Sequence, residues 1–347
     1  MSRTMTITQI RTPRSRAHSI SLTANTRGLR LNHLPSELVM SIIEVALTDT
    51  KPSILASLSK GIHILLNHVI YRTVILSSAR AIVSFHRTAT GSPKLSSLVK
   101  KLAVTWDGWD WPDLSQKPVP AFKRRFWSNG FSRKVYLNAI KRRRMLAGIL
   151  RHPLDSQISE VVEACKNIHA LDLSALNHIP NLTSHHHLKE VTSPLFIDEP
   201  STENFAACAD NITHLRFTEP NEYGWIGPRK MLERFGNPTN LSHLQLSRRT
   251  GANMDNDGKF VNQVADILVT YPKLQVVAIS VFKEFSWSNN DSSISSLEES
   301  HIWKQLLELK GADERVLLIE GKRNEWRKEF GDFLPSDSID CRFWQRF

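Results

Sequence analysis

Three clusters in this 347-residue chain carry residue types that bind ions or move protons, and in each the spacing is wrong for the chemistry. Asp255-Asn256-Asp257-Gly258 offers the oxygen ligands of a calcium loop, but its glycine falls too early and no Glu closes the pattern. The wider stretch Gly251 to Lys259 resembles a phosphate-cradling loop. Its glycines are misplaced, and Phe260 stands where a Ser or Thr would hold magnesium. His185-His186-His187, with His178 nearby, offers imidazoles to zinc. Adjacent histidines on a regular backbone do not converge on one ion, and no Cys lies at ligand spacing, so they read as loop residues. Cys165, Cys208 and Cys341 have no neighbouring base in sequence and read as small buried hydrophobes. No catalytic residue, metal ligand or cofactor is therefore expected, and the chain is expected not to be an enzyme.

Charge points to a second kind of chemistry. The net charge is +11, and its clearest concentrations are Lys123-Arg124-Arg125 and Lys141-Arg142-Arg143-Arg144. Without a zinc-finger or RNA-recognition signature these runs read as solvated faces. The alternative is a nucleic-acid-associated protein that uses this Arg/Lys-rich insertion. Trp106, Trp109 and Trp111 stand close by. Trp beside Arg suits a partner surface, and it equally suits packing on the first strand. No run reaches the roughly 18 apolar residues of a membrane helix. Three widely spaced cysteines and no secretory signal imply reduced thiols, which silences the sequons at Asn181, Asn211 and Asn240. Residues 1–28 are basic and rich in Ser and Thr, and read as a disordered tail. Pro13 and the scattered Arg argue against the amphipathic helix of a mitochondrial presequence. A cytoplasmic or nuclear location is expected.

The elements begin at Leu34. Pro35 suits the first turn of a helix and Glu37 faces the positive end of its dipole. Polar residues recur at Glu37, Ser41, Glu44 and Thr48, leaving two apolar sides, Leu38/Ile42/Val45 and Val39/Ile43/Ala46. A short helix that is apolar on two sides is sandwiched. Pro52 restarts a helix carrying Ile54, Leu55 and Leu58, with an end expected near Lys60-Gly61. An apolar segment from Ile62 to Ile70 follows, then a short strand over Tyr71–Leu76, then a helix capped by Ser77 or Ser78.

Further on, one pattern recurs: apolar-x-x-Leu-x-apolar. It is found from Leu98 to Val104, Ile168 to Leu173, Ile212 to Phe217, Leu241 to Leu246 and Leu274 to Ile279, with a partial copy at Leu188–Val191. The alternating end predicts a strand with one buried face. Helical stretches are expected before most copies, over 158–164, 202–209, 231–235 and 261–270. Helix then strand, repeated, predicts parallel strands with helices outside. A last helix from His301 and a strand over Arg315–Ile319 close the series. Between 286 and 300 a Ser/Asn/Asp stretch reads as a loop. Trp326, Phe330, Phe333, Phe343 and Trp344 are expected to cover the open apolar end.

Leu34-Pro35-x-Glu37-Leu38, then Ile42-Ile43, then Leu55-x-x-Leu58-Ser59-Lys60 and a closing apolar helix resemble an F-box over residues 31–76. Val69 to Val74 is similar to the exit from F-box-like domains in a large fungal group. Gly61-Ile62 and Tyr71 stand where many F-boxes carry an aromatic and a Trp. The recurring strands resemble the degenerate leucine-rich repeats that accompany many F-boxes. The resemblance implies a basic tail over 1–28, a three-helix F-box-like module over 29–76, and an irregular leucine-rich-repeat-like α/β solenoid over 77–347 with an insertion at about 107–150. It also implies a non-catalytic substrate receptor, with a Skp1-type adaptor and a cullin ubiquitin ligase as partners and repeats that bind an unknown target protein. Carried over residue by residue, the adaptor contact falls on Leu34, Pro35, Leu38, Ile42, Leu55 and Leu58.

Overall fold

The computed structural model of the chain describes residues 34–105, 153–173, 180–193, 207–218, 226–251, 253–283, 296–321 and Trp344. The basic tail, the Trp-rich stretch at 106–113, both basic runs, the helix expected over 134–150, His178, Cys341, and Trp326, Phe330, Phe333 and Phe343 lie outside the described residues.

Eight strands form one sheet, all parallel and in chain order: β1 (Thr73–Leu76), β2 (Lys101–Val104), β3 (Ala170–Asp172), β4 (Glu190–Ser193), β5 (His214–Phe217), β6 (His243–Arg249), β7 (Val276–Phe282) and β8 (Val316–Gly321). The expected α/β class with parallel strands is what the chain forms. Among the described residues there are nine α-helices: α1 (Ser36–Asp49), α2 (Pro52–Leu58), α3 (Lys60–Arg72), α4 (Ala79–Gly91), α5 (Pro93–Ser96), α6 (Pro153–Ala164), α7 (Pro228–Arg234), α8 (Met254–Thr270) and α9 (His301–Ala312). Their starts follow local chemistry. Proline opens α2, α5, α6 and α7, where its missing N–H costs nothing. Side chains of Ser59, Ser78, Asn253 and Ser300 accept an N–H in the first turn of α3, α4, α8 and α9.

The recurring pattern becomes columns. Leu102, Leu171, Val191, Leu215, Leu244, Val277 and Val316 stand in register on successive strands. Ahead of them, Val99, Ile168, Leu188, Ile212, Leu241 and Leu274 are all buried. The second set sits where the chain turns in, each N–H closing a tight turn onto the carbonyl three residues earlier, as in Ile168 to Cys165 and Leu274 to Tyr271. Apolar residues of α4 and α6–α9 pack on this one face of the sheet as a single core. Side chains tie the turns together: Asn167 donates to the Ser97 carbonyl and Asn240 to the Asp210 carbonyl, while Thr239 donates to the Asp210 carboxylate. From β3 onward the steps between strands lengthen, from about twenty residues between Leu171 and Val191 to nearly forty between Val277 and Val316.

Several boundaries differ from the sequence reading. Ser59 breaks the chain between α2 and α3 and caps α3, so Gly61 lies inside a helix and ends none. Tyr71 and Arg72 finish α3, and β1 begins at Thr73, where the β-branched run Thr73-Val74-Ile75 starts. Val99, not Leu98, enters the core column. Within the 286–300 loop, Leu297–Glu299 form a 3-10 turn with Leu297 buried. Of the helix expected over 202–209, residues 202–206 lie outside the described residues, and a 3-10 turn follows at Ala209–Asn211.

A stack held by one column is sensitive to a gap in it. Leu244→Ala, fully buried mid-sheet, is expected to destabilise the chain by about 2–5 kcal/mol. Leu38→Ala, on an exposed face of α1, is expected to change stability by about 0.5 kcal/mol or less. Urea unfolding of the two variants checks the contrast.

Candidate functional site

Two surfaces stand out, one on the N-terminal helices and one on the sheet. The first belongs to α1–α3, which enclose their own small cluster around Val39, Ile43 and Leu66, separate from the main core. The two apolar sides of α1 divide here. Val39 and Ile43 are 4% and 3% exposed, whereas Leu38, Ile42 and Val45 are 53%, 48% and 71% exposed. Ile54 and Leu58 on α2 and Ile64 on α3 are exposed as well. Of the sequence-selected residues, Pro35, Leu38, Ile42 and Leu58 therefore lie open, while Leu34 and Leu55 are half-buried against the cluster. Val45, Ile54 and Ile64 were not selected from sequence. Val45 extends the Leu38–Ile42 stripe at helical spacing, a signal that was available; Ile54 and Ile64 required the packing of α2 and α3 to be known. Seven of the ten large apolar residues left exposed among the described residues lie between Leu38 and Ile70. Such a concentration is the mark of an interaction surface.

The second surface is the sheet face turned away from the helices. Here the in-register row Asp172, Thr192, Arg216 and Gln245 is polar and buried. Arg216 Nε donates to Gln245 Oε1 at 2.8 Å, and Gln245 Nε2 donates to Ser280 Oγ at 3.3 Å. Two residues earlier on the same face, His214 and His243 stack with ring centroids 4.3 Å apart and planes 12° apart. Each ring is anchored by the hydroxyl just before it in sequence, Thr213 Oγ1 lying 2.8 Å from His214 Nδ1 and Ser242 Oγ 2.9 Å from His243 Nδ1. The same hydroxyls reach backbone carbonyls, Thr213 that of Lys189 and Ser242 that of Thr213. Trp344 lies on this pair, 5.7 Å from His214 and 5.1 Å from His243, and clusters with Ala278 and Phe282. It was expected to cover the end of the stack. It instead sits over the sheet face between β5 and β8, because the His pair and the small Ala278 leave an apolar hollow there.

The clusters weighed for chemistry settle as structure. Residues 254–259 are the first turns of α8, not a loop. Asp257 is buried and pairs with Arg248 of β6 at 2.9 Å, with His301 Nδ1 3.7 Å away, and Arg248 lies over the Phe260 ring. That carboxylate is committed to holding α8 on the sheet. His185 is buried with Nε2 at 2.9 Å from the Val162 carbonyl, and His187 stacks on His169. Among the described residues no group of three or more His, Cys, Asp or Glu could hold a metal, and no helix is long and apolar enough to cross a membrane. Cys165 and Cys208 are buried, which pushes their thiols up to about 12 and about 11, far from nucleophilic. Ser156 and His86 both bind the Glu160 carboxylate, at 3.0 and 2.6 Å, and that bonding, led by His86, holds Glu160 below the usual carboxylate range. A hydroxyl that donates to a carboxylate shared with the imidazole is not set up as a nucleophile activated by that imidazole.

Burial, and then the neighbouring His243, pushes His214 from 6.5 down to about 4; burial also lowers His243. The groups facing the pair are Glu190 one strand away on β4, Arg216 further along β5, Val276 on β7 and Trp344. Between the two His214 values the unfolded chain takes up a proton that the folded chain refuses. Stability is therefore full above pH 6.5 and falls as pH drops toward 4. His214→Asn is expected to flatten that fall, read as the thermal midpoint across this range.

Comparison of the sequence with protein-family models and with curated proteins returned no match.

Proposed function

We propose that the chain is a non-catalytic receptor of the F-box type. In this reading residues 29–76 dock a Skp1-type adaptor that joins a cullin ubiquitin ligase. Residues 77–347, an irregular leucine-rich-repeat-like solenoid, hold a target protein. The observation that carries the first half is the divided helix α1. Its Val39/Ile43 side is used by the chain, and its Leu38/Ile42/Val45 side is left open beside Leu58 and Ile54. A monomer gains nothing from exposing these side chains, since each buried one is worth about 1.5–3 kcal/mol. An adaptor that covers them supplies the missing burial. For the second half, the support is a parallel sheet in strict chain order, on one face of which the described helices α4 and α6–α9 pack. Tethering that target beside a ligase raises its effective concentration at an active site carried by another chain.

The test separates docking from folding. The triple variant Leu38→Ala/Ile42→Ala/Leu58→Ala changes only exposed residues. It is expected to lose co-purification with a Skp1-type adaptor while keeping the parent's thermal midpoint. Leu34→Ala/Pro35→Ala is expected to lose it as well, with a small drop in stability from Leu34. Undiminished adaptor capture by the triple variant refutes the docking assignment.

A further inference from the structure

The strand entries carry a line of like charge. Lys100, His169 and Lys189 stand just ahead of β2, β3 and β4, and the backbone holds them side by side. The His169 N–H donates to the Lys100 carbonyl at 2.7 Å, and the Lys189 N–H to the His169 carbonyl at 2.9 Å. Neighbouring strands lie about 4.8 Å apart, so a lysine flanks the imidazole at one strand's distance on either side. His187 completes the group, its ring stacked on His169 with centroids 5.8 Å apart and planes 19° apart. His169, His187 and Lys189 are exposed, and Lys100 is half-buried.

None of these side chains forms an ion pair among the described residues. The nearest carboxylate in sequence, Glu190, stands one residue further in, where alternation turns it to the other face of the sheet, buried in register with His214. Burial, and then the charges of Lys100, His187 and Lys189, lower the basicity of His169, as crowded positive charge does. Like charges at facing positions of neighbouring strands cost stability, and here the fold sets them together with no acid to answer them.

We propose that this rim binds a phosphate monoester group. Such a group brings about two negative charges and three acceptor oxygens. Two ammonium groups neutralise that charge, and the stacked imidazoles add N–H donors. A carboxylate brings a single charge and leaves one lysine unanswered, as does each link of a phosphodiester. The group is open to solvent, so each contact is weak and the dissociation constant is on the order of millimolar. The rim shares no residue with α1–α3, and the site stands or falls independently of the receptor reading.

The experiment uses the full chain and inorganic phosphate as the probe, at constant ionic strength. Binding is followed through the imidazole NMR signals of His169 and His187, assigned with His169→Gln and His187→Gln. Both signals are expected to shift saturably. Saturating phosphate is also expected to raise the pH at which His169 titrates, because its charged form gains an anion beside it. Lys100→Gln/Lys189→Gln is expected to weaken binding at least about tenfold. Should that variant fail to fold, Lys189→Gln alone, at an exposed position, is expected to weaken it about threefold. Glycerol phosphate and a neutral peptide carrying one phosphoserine are then compared, and the tighter of the two names the source of the group. Shifts that do not saturate, binding that the lysine variants leave unchanged, or acetate binding as tightly as phosphate overturns the proposal. So does a thymidine oligonucleotide that phosphate cannot displace, which assigns the rim to a nucleic-acid backbone.

Discussion

One backbone ladder carries the architecture. The carbonyls of Arg72, Lys100, His169, Lys189, Thr213 and Ser242 each accept an N–H from the entry to the next strand, at Lys100, His169, Lys189, Thr213, Ser242 and Gln275. Because every step runs the same way, every strand is parallel, and none can pair with its chain neighbour through a tight hairpin. Each must return through a connection, and a connection that packs on one face builds one shared core. The strand steps differ widely in length, that from Leu102 to Leu171 being the longest, yet Leu102 to Val316 stay in one column. Added residues are therefore accommodated outside the ladder, where loop length costs little.

The ladder also sorts the chemistry. Alternation along each strand sends leucine-type residues to the helix side and His214, Arg216, His243 and Gln245 to the other. Polar groups this deeply buried need partners, and the row from Arg216 through Gln245 to Ser280 provides them across three strands. On the helix side the buried charge of Arg248 is answered by Asp257. Removing either partner of such a pair leaves an uncompensated buried charge, which is why the apparent ion-binding sequence at 255–258 serves packing.

The N-terminal helices obey a different constraint. Three short helices cannot bury all their apolar residues among themselves, and their cluster stays apart from the main core. The same shortage of area that leaves Leu38, Ile42 and Val45 open makes them available to something else. The sheet face beyond β4 has the opposite history: its hollow is already filled, by Trp344.

Much of this was written in local pattern. The two sides of α1, the helix starts at Ser78 and Pro52, and the recurring strand motif depend on neighbours within a few residues, and they were legible as such. Period-2 alternation marks a strand's buried face without reference to what lies beside it. Helix ends were less legible, since the boundary at Ser59 turned on a capping bond and not on the glycine two residues later. What only the tertiary structure decided is anything that joins distant positions. His214 and His243 stand 4.3 Å apart because their strands pair in register, and no local signal in Thr213-His214 or Ser242-His243 says so. Trp344 was visible as an apolar residue near the end of the chain, but its place over β5–β8 follows from the hollow those strands make together. Sequence determined which residues each segment must hide; register determined which of them meet.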